Sequence, residues 1–298
     1  MKRQIPAFST LAAMILSLPA FAAEGGAGIL GVRWGKNAFN FEGMPSGPQP
    51  LRNLSRLANG KANNRRLVGD YGNPILTPEA AAVVKQKGDF AIAGTGFPNS
   101  QDQCRPMAPP FTLAMQLSFQ MLPMRDGNVT ILYDQNMTVR RIRMNAAHPT
   151  NLMPSPMGNS VGHWEGGMLV VDTVGIRTDG FTSVDRFGTP QSEAMHVTER
   201  YRLIDGALAK AQIDKYETSE GTVGGGQRVA GYNPDTSLNG LQLEVTMDDP
   251  KVFVTPLTAR VTYRRVLSKW QESVCADNPT EHYEGEWIGL PKANQPDF

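Results

Sequence analysis

Three of the four histidines in this 298-residue chain, His148, His163 and His196, fall within about fifty residues of one another, alongside Asp172 and Glu199. An imidazole beside a carboxylate is the usual proton-transfer pair near neutral pH, because the ring loses and regains its proton there. The chemistry these residue types suit is acid–base elimination or hydration of a small molecule. His148, His196 and Glu199 would move protons and Asp172 would brace a histidine. Arg141 would orient a phenolate or carboxylate, and His163, Trp164 and Tyr201 would contact the substrate.

Strands must position these groups. In "MHVTERYRLI", period two places Val197, Glu199, Tyr201 and Leu203 on one face and His196, Thr198, Arg200 and Arg202 on the other. The first face is the apolar one and points inward. Glu199 is then a carboxylate inside the fold, where it needs a partner. The arginines of "VRRIR" are the obvious donors, with Val139, Arg141 and Arg143 on one face and Arg140, Ile142 and Met144 on the other. Such a pair could equally serve only to hold strand register. "MLVVDTVG" is apolar on both faces, which isolates Asp172 and demands a partner for it. "SVGHWE" joins that strand through Glu165-Gly166-Gly167, a good hairpin turn. His163 and Trp164 fall on its opposite faces, and the indole also reads as a core or wall residue. His148 precedes Pro149, so it lies in a loop in an extended or turn conformation.

From residue 126 to 275 the chain reads as about nine short strands separated by turns, including "ALAKAQIDKYE" and "KWQESVC". The expected fold is mainly all-β: an antiparallel calycin- or lipocalin-like barrel or sandwich. Closure would remove the exposed edges that so many strands create. Residues 24–125 read as an irregular N-terminal arm with one short helix near 78–87, capped by Thr77 and started by Pro78. Residues 218–240 are Gly-rich and read as a long loop insertion, with a lid over the barrel mouth as the functional alternative. Residues 276–298 form a C-terminal tail.

Composition excludes several classes. Residues 1–23 combine Lys2 and Arg3, an apolar run from Leu11 to Leu18, and small residues at Ala20 and Ala22. That is the pattern of a cleaved signal peptide, so a periplasmic or secreted protein is expected. Without Lys2 and Arg3, 27 basic residues face 28 acidic ones, a balance that supplies no field for nucleic acid or an anionic surface. No later run approaches the roughly 20 apolar residues of a transmembrane helix. Cys104 and Cys275, an even pair in an oxidising compartment, are expected to form a disulfide. The histidines and cysteines lack zinc spacing, so no metal is expected. No nucleophile elbow, phosphate loop or dinucleotide fingerprint occurs, so no cofactor is expected either.

Several separated motifs agree in kind and order with a secreted, mostly uncharacterised bacterial family. "SVGHWEGGMLVVDTVGI", "HVTERY" and "DDPKVFVTP" resemble its SVGRWEGDTLVVDTVGF, HVTERY and DDPKAYTKPW motifs. "TPEAAA", Gln103–Cys104, "VTILYDQNMTVRRI" and "ESVC" also match in kind. The chain departs from the pattern at His163, Gly167 and Leu257, where the family tends to carry Arg, Asp and Trp. The resemblance implies one secreted barrel-like domain with an N-terminal arm. Some members accompany the breakdown of lignin-like aromatic compounds, which implies a cofactor-free lyase on an aromatic molecule.

Two functional expectations follow from residues and resemblance together. One is an exported, cofactor-independent lyase or hydratase acting on a small apolar compound, with a lignin-derived aromatic as the class the resemblance implies. The other is a lipocalin-like carrier that binds such a molecule unchanged. A second copy of the chain, in a homodimer, is an open alternative as partner.

Overall fold

The computed structural model describes residues 28–37, 41–95, 100, 105–116, 118–134, 138–220, 231–270, 280–283 and 286–289. Residues 1–27, which include the expected signal peptide, both cysteines of the expected disulfide, "ESVC" and residues 221–230 of the 218–240 insertion lie outside the described residues.

Ten strands form one sheet: β1 (Arg33–Gly35), β2 (Glu42–Gly43), β3 (Phe119–Pro123), β4 (Val129–Tyr133), β5 (Val139–Met144), β6 (Asn159–Glu165), β7 (Met168–Val174), β8 (His196–Ile204), β9 (Gly240–Asp248) and β10 (Leu257–Arg265). The order β1-β3-β4-β5-β6-β7-β8-β9-β10 closes on itself through β10–β1 pairing at Arg264 and Arg265, giving a nine-stranded barrel. The short β2 adds to β10 at Ala259 and Arg260. Closure leaves no open edge around the ring, which is why so many short strands coexist in one chain. A further hairpin pairs β11 (Thr280–Tyr283) with β12 (Glu286–Gly289).

Alternation decides what the barrel contains. Met121, Ile131, Ile142, Leu169, Val171, Val197, Tyr201, Leu243, Val245, Ala259 and Val261 are all almost fully buried and belong to one core. The intervening residues face outward. The β6–β7 hairpin turns at Gly166 and Gly167, with φ of 53° and 84°. Both central positions of a tight, twist-matched hairpin turn need positive φ, which the Gly-Gly pair supplies without strain.

One junction breaks the antiparallel pattern. β5 and β6 are parallel, so the chain must cross over between them through residues 145–158. Asn145 takes φ of 53° to start this crossover, a conformation Asn tolerates better than most residues. The crossover loop carries His148.

Helix α1 (Pro78–Ala93) is longer than the sequence suggests. The Thr77 hydroxyl accepts the Ala80 N–H at 3.3 Å, Pro78 occupies the first turn, and Gly94 ends the helix in the left-handed region. Its buried residues Ala80, Val84 and Gly88 recur every four positions and form one packed stripe. Thr77→Ala is expected to cost about 1 kcal/mol of stability, read as a lowered midpoint in urea.

Two expectations need correction. "ALAKAQIDKYE" is not a strand but part of helix α3 (Gly206–Glu220), so among the described residues the one expected helix becomes three with the single turn α2 (Phe111–Ala114). The Asp205 carboxylate caps α3 by accepting the Leu208 N–H at 2.9 Å. Ala209 and Ile213, four apart, are its buried stripe. The segment's apolar residues fit period two as well as period 3.6, and its Ala, Leu, Lys and Gln content favours the helix. The second correction concerns the boundary at residue 125. β1 and β3 lie before it, yet they complete the barrel. The arm between them has internal order too: the buried Asn53 side chain donates to Asn63 O and Arg66 O and accepts from the Ser55 and Val68 N–H groups. Among the described residues, no helix is long and apolar enough to cross a membrane.

Candidate functional site

The residues singled out from the sequence separate into two groups, one inside the barrel and one on its outer wall.

The inner group is built on Arg140 and Glu199, whose side chains are 1% and 0% exposed. Arg140 donates through Nη1 to Glu199 Oε2 at 2.9 Å and through Nη2 to Oε1 at 2.5 Å, a bidentate pair. Its Nη2 also reaches Thr173 Oγ1 at 2.7 Å, and its Nε reaches Ser160 Oγ at 3.0 Å. The Tyr201 hydroxyl donates to Glu199 Oε2 at 2.6 Å. Burial pushes the Tyr201 phenol well above its usual range, and the neighbouring Glu199 charge adds to this, so it stays a neutral donor. Burial opposes the charge on Arg140, but the carboxylate beside it more than offsets that and holds the guanidinium protonated. Every group is committed to another, which makes this a structural clamp across β5, β6, β7 and β8.

This arrangement corrects two expectations. The inward arginine is Arg140, while Arg141 is exposed on the opposite face of β5. Glu199 and Tyr201 do not join the histidines, because period two turns them to the lumen. Trp164 also turns inward, half-buried against the core. His163 faces outward and is more than half exposed, with Nε2 at 4.0 Å from the equally exposed Glu165. A pair so exposed contributes little.

The outer group is centred on Asp172. Val170, Asp172 and Val174 project outward from β7, while Leu169, Val171 and Thr173 project inward. Asp172 pairs in register with Thr198, so His196 lies diagonally beside it on the same face. His196 Nε2 meets Asp172 Oδ2 at 2.5 Å. The crossover loop brings His148 to the other oxygen: its Nε2 meets Asp172 Oδ1 at 2.7 Å. His148 Nδ1 contacts Asn159 Oδ1 at 2.8 Å, and that oxygen also accepts from Arg143 Nη2 at 2.8 Å. Arg143 Nη2 reaches Ala147 O at 3.1 Å as well, tying the loop to β5. The result is a chain of contacts, Arg143–Asn159–His148–Asp172–His196, running across β5, β6, β7 and β8 to solvent.

Donor and acceptor roles follow from this chain. The Arg143 contact fixes Asn159 Oδ1 as an acceptor. His148 therefore faces an acceptor at each ring nitrogen, and both contacts are hydrogen bonds only when both nitrogens carry protons. His196 donates Nε2–H to Asp172, which leaves Nδ1 as the nitrogen available to another molecule. Its side chain is 45% exposed, against 25% for His148. Burial alone would raise the Asp172 carboxyl, but hydrogen bonds from His196 and His148, and then their charges, hold it below the usual carboxylate range.

The lowered value has a consequence for stability. A depressed carboxyl stabilises the fold fully above its unfolded value, near 3.8, and that contribution disappears as pH falls through the lower folded value. The stability gap between the wild type and Asp172→Asn is therefore expected to hold from neutral pH to about pH 4 and to narrow below it, measured by urea titrations at each pH.

The sequence marked His148, Asp172 and His196 and offered the arginines of "VRRIR" as partners for Glu199 without choosing Arg140, but it missed Asn159 and the tie from Arg143 to it. No local signal identifies Asn159, since its role depends on the crossover. Among the described residues, no group of three or more His, Cys, Asp or Glu side chains is arranged to hold a metal ion. Comparison with protein-family models, with curated proteins and with solved structures finds no match for this chain.

Proposed function

We propose that the chain is a cofactor-independent acid–base enzyme whose reacting group is His196. The carrying observation is the Asp172 carboxylate held between two imidazoles, one half-exposed and one tied back into the protein. Asp172 keeps the His196 Nε2 proton in place and so leaves the Nδ1 lone pair to accept a proton from a bound molecule. The imidazolium that forms is stabilised by the same carboxylate. His148, Asn159 and Arg143 are positioning residues: they hold Asp172 through contacts that substrate does not need to replace.

The reaction class that suits one exposed base is proton abstraction next to an activating group, followed by elimination, or the reverse hydration. The substrate class is a small apolar, aromatic compound. Its support is the family resemblance together with the crossover loop, which exposes Met153 at 88% beside the segment carrying His148. A lipocalin-like carrier would hold its ligand in the lumen. Here Trp34, Arg140, Tyr201 and Tyr263 are fully buried core side chains, which favours the outer-wall site.

The test is a screen of purified mature protein against aromatic dimers and related small molecules, read by mass change and by thermal shift. Turnover lost in His196→Ala and kept in Glu199→Gln supports the reading. Turnover that survives His196→Ala overturns it, and stabilisation by a ligand without any turnover supports the carrier instead.

A further inference from the structure

A second site lies away from the histidines, where the N-terminal arm meets the β9–β10 turn and the last turn of α3. A cavity of about 680 Å³ opens there, in the range of about 300–1,000 Å³ typical of small-molecule sites. Phe41, Leu51, Ile75 and Val254 contribute apolar wall. Much of its polar frame is already committed, the buried Glu220 Oε2 in the lining being an exception with no hydrogen-bond partner. Gln49 Nε2 donates to Met44 O and Gly47 O, while Asn73 Nδ2 donates to Gln49 O and Asn73 Oδ1 accepts from Ile75 N. These bonds stiffen the rim before any ligand arrives.

Two charged side chains in the lining are not committed. Arg52 and Asp70 both border the cavity, and among the described residues neither side chain is engaged in a hydrogen bond or an ion pair. No contact within 4.0 Å joins the two into an ion pair. A guanidinium offers a planar fork to a carboxylate, and a carboxylate accepts from an ammonium or hydroxyl. We infer that this cavity binds a small molecule with a carboxylate at one end, a hydrogen-bond donor at the other and an apolar ring between them. Arg52 takes the carboxylate, Asp70 takes the donor, and the ring lies against Phe41, Leu51 and Ile75. The site is independent of the proposed chemistry at His196.

Titration calorimetry on the mature chain tests this with benzoate, 4-hydroxybenzoate, 4-(aminomethyl)benzoate and phenol as probes. The two acids that carry a donor are expected to bind at least tenfold more tightly than benzoate or phenol. Whichever of the two binds more tightly identifies the donor as hydroxyl or ammonium. Arg52→Gln should weaken every acid about tenfold or more, whereas Asp70→Asn should weaken only the two with donors. Val254→Trp, at an exposed position on the wall, should block all of them. Circular dichroism and melting curves establish that the variants are folded. The inference is overturned if no probe binds at millimolar concentration, if benzoate binds as well as the others, or if Arg52→Gln leaves the affinities unchanged.

Discussion

Asp172→Asn is expected to reduce turnover by about 10²–10⁴-fold, in line with the loss of an oriented general base. An aspartate accepts from both imidazoles at once, through Oδ1 to His148 and Oδ2 to His196. An asparagine has one oxygen and one amide nitrogen, so one imidazole must face a donor. If that is His196, its ring proton moves to Nδ1 and the lone pair turns away from solvent. The tautomer is observable without any substrate, through multiple-bond proton–nitrogen spectra of the histidine rings. His196 should show its proton on Nε2 in the wild type and a redistributed proton in Asp172→Asn. Asn159→Ala acts two contacts further along the chain and should give a smaller loss of turnover than Asp172→Asn. Equal turnover in wild type and Asp172→Asn would sink the assignment of His196 as an oriented base.

The largest effect on stability is expected at Arg140. Arg140→Met leaves the Glu199 carboxylate buried with only the Tyr201 hydroxyl and no cation. Breaking a buried pair on one side costs about 3–5 kcal/mol, because the remaining charge is stranded in a medium that solvates it poorly. The measurement is the urea midpoint with its slope checked for two-state behaviour. Replacing both partners by apolar side chains should recover most of the loss, since the charge and its desolvation penalty leave together. A double variant as unstable as Arg140→Met would mean that the network holds the strands through its hydrogen bonds to Ser160 and Thr173 rather than through the ion pair. One carboxylate, Glu199, is sealed in the core; the other, Asp172, is 35% exposed and held between two imidazoles.

Much of the fold was legible locally. Alternation in "HVTERYRLI" named the inward residues, because one side of that strand meets a packed core and the other does not, whereas "MLVVDTV" is apolar on both faces and only the odd residue out, Asp172, stood out. The Gly-Gly hairpin and the Thr77 cap were readable because each depends on a few adjacent residues. Helix α3 was not, since the apolar residues of "ALAKAQIDKYE" fit period two as well as period 3.6. The closing strand β1 is three residues long and has no pattern of its own. Only pairing with β3 and β10 makes it a strand.

The candidate site divides in the same way. Sequence by itself determined that Glu199 must be inside and paired, and that Asp172 could not stand alone in an apolar strand, because burying a carboxylate without a partner is costly wherever the chain goes. Which partners they found was decided by tertiary structure. Period two offered both Arg140 and Arg141, and barrel closure with the β4–β5 register chose Arg140. Asp172 met His196 because strands β7 and β8 pair with Asp172 opposite Thr198, and it met His148 only because a parallel crossover returns the loop over the outer wall. Those contacts join residues 24 apart in both directions, a separation at which no local preference reaches and only the packed barrel sets the distance.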